Sequence, residues 1–163
     1  GGSLVEEERV EMAGDLLERA GDKLVLPVDC VIAEDAAADA ATRAVAREAV
    51  PAGWKILDIG PATVTRFREA LEGARTVVWN GPMGMFEVAP FAGGTEGVAR
   101  AVADLTRGGA TTIVGGGDTA AAVEGAGLTD RVTHVSTGGG ASLEFLEGRV
   151  LPGVAVLDDR EGR

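Results

Sequence analysis

The second half of the chain uses one local design twice. "IVGGGDTAAAV" (113–123) and "HVSTGGGASLEFLEG" (134–148) each run from an apolar, β-rich stretch through three glycines into a helix-forming stretch. A glycine triplet at a strand-to-helix junction narrows the possible folds. Glycine turns with positive φ, and it lets another group approach where a Cβ would stand. The first amides of the following helix lack intrahelical partners, and that helix start carries about half a positive charge. One such junction reads as a tight turn or as an anion site. Two of them, each after a strand and before a helix, shift the balance toward phosphate.

The surrounding pattern supports this. "TVVWNG" (76–81) reads as a strand ending in the turn "NGPMG", and "GTEGVARAVADLTRGG" (94–109) as a helix. "TTIVGGG", "DTAAAVEGAG", "RVTHVSTGGG" and "ASLEFLEG" then alternate strand and helix, and a short tail, "VLPGVAVLDD" (150–159), follows. Strand and helix alternating over short connections predict βαβ units. The expected fold is therefore α/β: three layers, a mainly parallel sheet with helices on both faces. In such sheets ligands sit beyond the carboxyl ends of the strands, where both glycine triplets fall.

The first half is less regular. Ser3 and Glu6 have capping-box spacing, and Val10, Leu16 and Leu17 follow, so a helix is expected over about 3–20. "KLVLPVDCVIAE" (23–34) is β-rich. "DAAADAATRAVAREAV" (35–50) reads as helix by propensity alone, with poor apolar periodicity, or as an extended excursion. "WKILDIG" (54–60) is a strand, and Pro61 suits the first turn of the helix "PATVTRFREALEG". The opening "GGSLVEEE" lacks Met and reads as a cut end.

At 163 residues a single domain is expected, with a core of small side chains, since aromatics are only 4%. The net charge of -11 argues against a nucleic-acid or anionic-membrane partner. Only two of fifteen basic residues are lysines, Lys23 and Lys55, so backbone amides, helix ends or a metal must hold an anionic ligand. The lone Cys30 fits a reducing, cytoplasmic setting and reads as a small buried hydrophobe. Neither a membrane span nor a signal peptide is expected.

Several residues carry the candidate chemistry. Gly115, Gly116 and Gly117 would bare the backbone to phosphate, and Asp118 follows them directly. An acid beside a phosphate repels it unless a cation lies between, and Mg²⁺ is usually held by one or two carboxylates plus phosphate oxygens. Asp118 therefore reads as a Mg-nucleotide ligand, as a partner to the groups that ligate the ion, or as a helix cap. Thr119 reads as a phosphate donor or as part of that cap. In "VVWNGPMGMFE" (77–87), Asn80 ends a strand and Gly81, Pro82 and Gly84 fix a tight turn. Met83, Met85 and Phe86 would flank a planar base or pack in the core, and Glu87 would meet ribose hydroxyls or solvent. His134 reads as structural, and no G-x-x-x-x-G-K-[ST] loop occurs.

These segments resemble the C-terminal signature segments of the phosphoglycerate kinase family. "VVWNGPMGMFE", "GGGDTAAAV" and "HVSTGGGASLEFLEG...LPGV" carry the likeness. "LVEEERVEMAGDLLERAGDKLVLPVD", "LDIGPATV" and "FAGGTEGVARAVA" are similar to the same family in the same order, over nearly all of 3–157. The resemblance implies a Rossmann-like C-terminal, nucleotide-binding domain, incomplete at its N-terminal side, occupying 1–163. It implies reversible phosphoryl transfer between 1,3-bisphosphoglycerate and ADP, giving 3-phosphoglycerate and ATP. It implies ATP or ADP with Mg²⁺ as cofactors and a cytoplasmic, monomeric complete enzyme. Glu87 would contact the ribose, and Asn80 and Pro82 would line the nucleotide cleft. Gly116, Gly117, Asp118 and Thr119 would hold phosphates and magnesium; Gly138, Gly139 and Gly140 would face the transferring phosphate.

Some expected parts are absent from this sequence: the N-terminal domain that binds the phosphoglycerate, and a glycine-rich, lysine-bearing nucleotide loop. A raw sheet edge is expected where those strands would pair. Ala62 stands where the family usually has a basic residue, and Met85 replaces a commoner Val. The chain alone is thus expected to be inactive or nearly so. The alternative is a folded nucleotide-binding or structural fragment with no catalytic activity.

Overall fold

The computed structural model of the chain describes residues 1–157. Strands β1 (Asp29–Ala33), β2 (Arg43–Ala46) and β3 (Lys55–Ile59) lie in the first half, and three parallel strands carry the second: β4 (Thr76–Asn80), β5 (Thr111–Gly115) and β6 (His134–Ser136) in the order β4-β5-β6. Their register aligns Asn80 with Gly115 and Gly115 with Ser136, so all three strands end on one line.

Alternation on β4 separates the two faces. Val77 and Trp79 are buried, while Thr76, Val78 and Asn80 point the other way. α3 (Gly93–Arg107) covers the first face through Thr95, Val98, Ala99 and Val102, the spacing of one helical stripe. α4 (Gly117–Gly125) adds Val123, and the core closes around Trp79, Val114 and Leu128. On the other face α5 (Gly139–Leu146) and α6 (Pro152–Ala155) meet Val78 and Ile113 across an open apolar cleft of about 400 Å³. Helices thus lie on both faces of a parallel sheet, as the alternating pattern implied. The tail forms α6, and residues 158 and 159 of it lie outside the described residues.

The first half adds a second sheet: the β-rich stretch 23–34 and the strand 54–60 form two of its strands as expected, and its antiparallel pairing and third strand are new. β1 (Asp29–Ala33) lies between β2 (Arg43–Ala46) and β3 (Lys55–Ile59), antiparallel to both. β2 falls inside the stretch expected to be helical by propensity. Its alanines favour a helix, but intrinsic propensity is a weak preference that tertiary pairing overrides: half-buried Val45 sits opposite buried Cys30 of β1. Arg43 also stacks 4.4 Å over the Trp54 ring.

The expected first helix is shorter than its capping signal. A 3₁₀ turn spans Glu7–Arg9, and α1 covers Val10–Ala20. The capping box does not form, because the Ser3 hydroxyl instead accepts the Ile56 amide of β3 at 2.9 Å. Val10, Met12, Leu16 and Leu17 are all about half exposed, so the apolar stripe of α1 has no cover among the described residues. β3 leads through Gly60 into α2 (Pro61–Leu71), with Pro61 in its first turn as expected. No helix among the described residues is long and apolar enough to cross a membrane.

Candidate functional site

The two glycine triplets meet. Gly116 has φ +92°, a conformation that favours glycine, and its amide donates to the Ser136 carbonyl at 3.0 Å. Gly139 has an ordinary φ but no room: a Cβ there would lie 2.6 Å from the Gly116 Cα. The same Cβ would lie 2.9 Å from the Asn80 Oδ1, and one on Gly116 would lie 2.8 Å from it. Asn80 therefore sits wedged between the triplets, at the carboxyl ends of the sheet. By contrast, Cβ atoms on Gly117 and Gly140 would meet nothing within 4 Å. Those two positions face open space at the starts of α4 and α5.

Both helix starts are open. Neither α4 nor α5 has a side-chain cap. Among the described residues, the amides of Gly117, Asp118 and Thr119 have no acceptor, nor do those of Gly139, Gly140 and Ala141. Six donors and two helix dipoles thus point at one region. Asp118 is exposed in the first turn of α4 and makes no capping bond, so the cap alternative is not realised. Thr119 is 1% exposed. Its hydroxyl turns inward and accepts the Gly81 amide at 2.8 Å, while its own amide lies at the open helix start.

The loop after β4 lies beside these turns. Trp79 Nε1 donates to the Gly81 carbonyl at 2.8 Å, and the Met85 amide to the Leu57 carbonyl at 2.9 Å. Thr95 Oγ1 accepts the amides of Met83 at 3.0 Å and Gly84 at 3.4 Å. The loop borders a largely apolar groove of about 1010 Å³, with Leu57, Pro82, Met83 and Met85 on its wall. Met83 also packs against the core, while Met85 is 39% exposed. Glu87 is exposed and forms no ion pair among the described residues. His134 is exposed on β6. Another cleft, about 550 Å³ near Arg68 and Arg75, lies at the opposite strand ends. The carbonyl ends of α2 and α3 reach it and disfavour phosphate there.

Two acids escaped the sequence reading. Asp29 reaches from β1 to the start of α2, where its carboxylate accepts the amides of Ala62 (3.0 Å) and Thr63 (2.7 Å) and the Thr63 hydroxyl (2.6 Å). Burial pushes this carboxyl upward, but the Thr63 hydroxyl and the two amides outweigh that and hold it below the usual value. Asp58, 2% exposed on β3, accepts the Gly94 amide at 2.6 Å and the Ile59 amide at 2.8 Å. There burial prevails and raises the carboxyl, despite those two amides. The available signal was an acid inside each apolar run, "LPVDCVIA" and "WKILDIG". Cys30 is buried, and burial raises its thiol, with Asp29 adding to the effect.

The sequence model of the phosphoglycerate kinase family matches residues 1–149. The chain belongs to that family. Phosphoglycerate kinase of Synechococcus elongatus is 58% identical over 162 residues, 98% of this chain and 40% of that protein. The Rubrobacter xylanophilus phosphoglycerate kinase is 60% identical over 161 residues, 99% of this chain and 40% of its relative. The solved phosphoglycerate kinase of Coxiella burnetii superposes with a TM-score of 0.87 at 44% identity, over 95% of this chain and 40% of that one. The chain thus spans about 40% of the length of the curated family members it matches.

Proposed function

We propose that the chain forms part of the Mg-nucleotide site of a phosphoglycerate kinase, as a partial C-terminal domain. The complete kinase moves a phosphoryl group reversibly between 1,3-bisphosphoglycerate and ADP, giving 3-phosphoglycerate and ATP. The observation that carries this reading is the pair of open helix starts converging on Asn80. Phosphoryl transfer asks a protein chiefly for positioning and charge stabilisation. Gly117 to Thr119 offer amides to the nucleotide phosphates, and Gly139 to Ala141 offer amides to the transferring group. The groove at Pro82 and Met85 takes the base, and Glu87 takes the ribose.

The donor set fits magnesium. Asp118 is an exposed carboxylate with no protein partner among the described residues, beside the open start of α4. No group of three or more metal-ligating side chains exists among those residues. Mg²⁺ is usually held by one or two carboxylates with phosphate oxygens, and Asp118 would be the carboxylate. Bound there, Mg²⁺ would neutralise charge on the phosphates.

The phosphoglycerate would be held by polypeptide outside this chain, so the chain alone binds nucleotide but turns nothing over. Titration calorimetry with MgADP tests the reading. Wild type binds with Kd below ~1 mM, equivalent to about 4 kcal/mol, and Asp118→Ala weakens binding about tenfold. Equal affinities in the two proteins would remove Asp118 from the site. Absence of binding would favour the other reading, a structural piece, which the uncovered stripe of α1 also supports. A coupled assay that finds ordinary turnover would refute the dependence on further polypeptide.

A further inference from the structure

We propose that Thr95 is a positioning residue for the nucleotide loop 81–85; this rests on the reading given under Proposed function. Thr95 belongs to none of the glycine turns and touches neither open helix start. It is 2% exposed, in the first turn of α3. Its single oxygen accepts two backbone amides eleven and twelve residues away, those of Gly84 and Met83. Asp58 fixes the helix start that carries it, through the Gly94 amide.

The consequence lies in where the loop's amides go. Gly81 donates to Thr119 Oγ1, Met83 and Gly84 to Thr95 Oγ1, and Met85 to the Leu57 carbonyl. Pro82 has no amide to give. Every amide from 81 to 85 is therefore directed inward. The loop offers a ligand side chains, not donors, and its shape rests on two threonines. Thr119 ties one end to α4, beside the phosphate amides. Thr95 holds the middle, where Pro82, Met83 and Met85 border the groove. Without the Thr95 oxygen two half-buried amides lose their acceptor, and the groove wall shifts relative to the phosphate site.

The test uses the chain with Thr95→Val, which keeps the shape, and Thr95→Ser, which keeps the oxygen. Without ligand, Thr95→Val speeds hydrogen exchange at the Met83 and Gly84 amides about tenfold or more, with Ile113 and Val114 of β5 unchanged. Thr95→Ser stays within about twofold of wild type at all four. With ligand, Thr95→Val weakens MgADP about tenfold but leaves pyrophosphate within about twofold, because pyrophosphate needs no groove. Thr95→Ser restores MgADP binding.

Four results would overturn the proposal. They are unchanged exchange in Thr95→Val, equal losses for MgADP and pyrophosphate, a Ser variant as impaired as Val, and global unfolding of Thr95→Val. The last would assign the hydroxyl to the whole fold. Failure of wild type to bind MgADP would refute the functional reading instead, and the exchange data would still decide whether Thr95 holds the loop.

Discussion

Among the described residues, the helices α2 to α5 fall into two pairs by how they begin. α2 and α3 begin on carboxylates supplied from elsewhere in the fold, Asp29 and Asp58. α4 and α5 begin on glycine with no side chain across them. Physically the four starts are alike: each exposes unpaired amides and a positive dipole end, and each attracts an anion. The chain fills two of those sites with its own acids. It leaves the other two bare, adjacent and facing the same side of Asn80. An unfilled start costs stability, since its amides go without partners. Two unfilled starts side by side are where the proposed external anion would bind.

The largest expected effect breaks the adjacency. A Cβ on Gly139 would press on backbone atoms of Gly116, 2.6 Å from Cα and 2.8 Å from N. Backbone cannot swing aside as a side chain can, so Gly139→Ala should cost about 3 kcal/mol. Urea denaturation measures this. A neutral Gly139→Ala would mean that the two glycine turns do not pack together, and the bare pair would lose its common site.

A filled start gives the next effect. Asp29→Ala removes three hydrogen bonds to a carboxylate and uncaps α2, and should cost about 2 kcal/mol. The pH dependence carries a sign. The Asp29 carboxyl is held below its usual value in the fold, so its contribution is present above the unfolded value of 3.8. It fades as pH falls through the lower folded value. The stability gap between wild type and Asp29→Ala should therefore be flat near neutrality and shrink only in acid. Asp58 runs the other way, because its folded carboxyl is raised. Its contribution is greatest below 3.8 and declines as pH rises from there. Parallel pH profiles for variants at the two positions would show that the two stoppers are not electrostatically distinct.

The bare pair was legible in the sequence and the filled pair was not. A glycine triplet between an apolar run and a helical run is a local signal, and both copies sit at strand ends as expected. Asn80, Gly116 and Gly139 were individually readable there, although their mutual packing was not. The stoppers are non-local: Asp29 caps a helix 34 residues away, and Asp58 one 36 residues away. Nothing in the spacing of "PVDC" or "ILDIG" points to those partners. The same reason hid β2 and the antiparallel pairing of its sheet. An antiparallel strand such as β2 is chosen by what lies beside it, and the helix preference of an alanine-rich stretch pointed the other way. The Ser3 capping box failed likewise, because β3 offered its hydroxyl a competing donor.

The smallest expected effect on stability is the sharpest test of the comparison. Cβ atoms on Gly117 and Gly140 meet nothing within 4 Å, and neither residue has positive φ. By packing alone both alanines are tolerated, and helix propensity favours them by up to about 1 kcal/mol. Stability should therefore be unchanged or slightly raised in Gly117→Ala and Gly140→Ala. An anion that approaches these amides must come within about 3 Å of them, and a methyl group at the same place stands in its way. Gly117→Ala should thus weaken MgADP about tenfold without loss of fold. Gly140→Ala should weaken it less, since in the proposed arrangement it faces the transferring group rather than the nucleotide phosphates. The same steric argument makes Asp29 an instructive control: its carboxylate already occupies the space of a Cβ on Gly60. An alanine there should be costly through packing and silent toward nucleotide. If Gly117→Ala bound MgADP as wild type does, the open start of α4 would be only a turn, and its glycines would serve the chain's geometry alone.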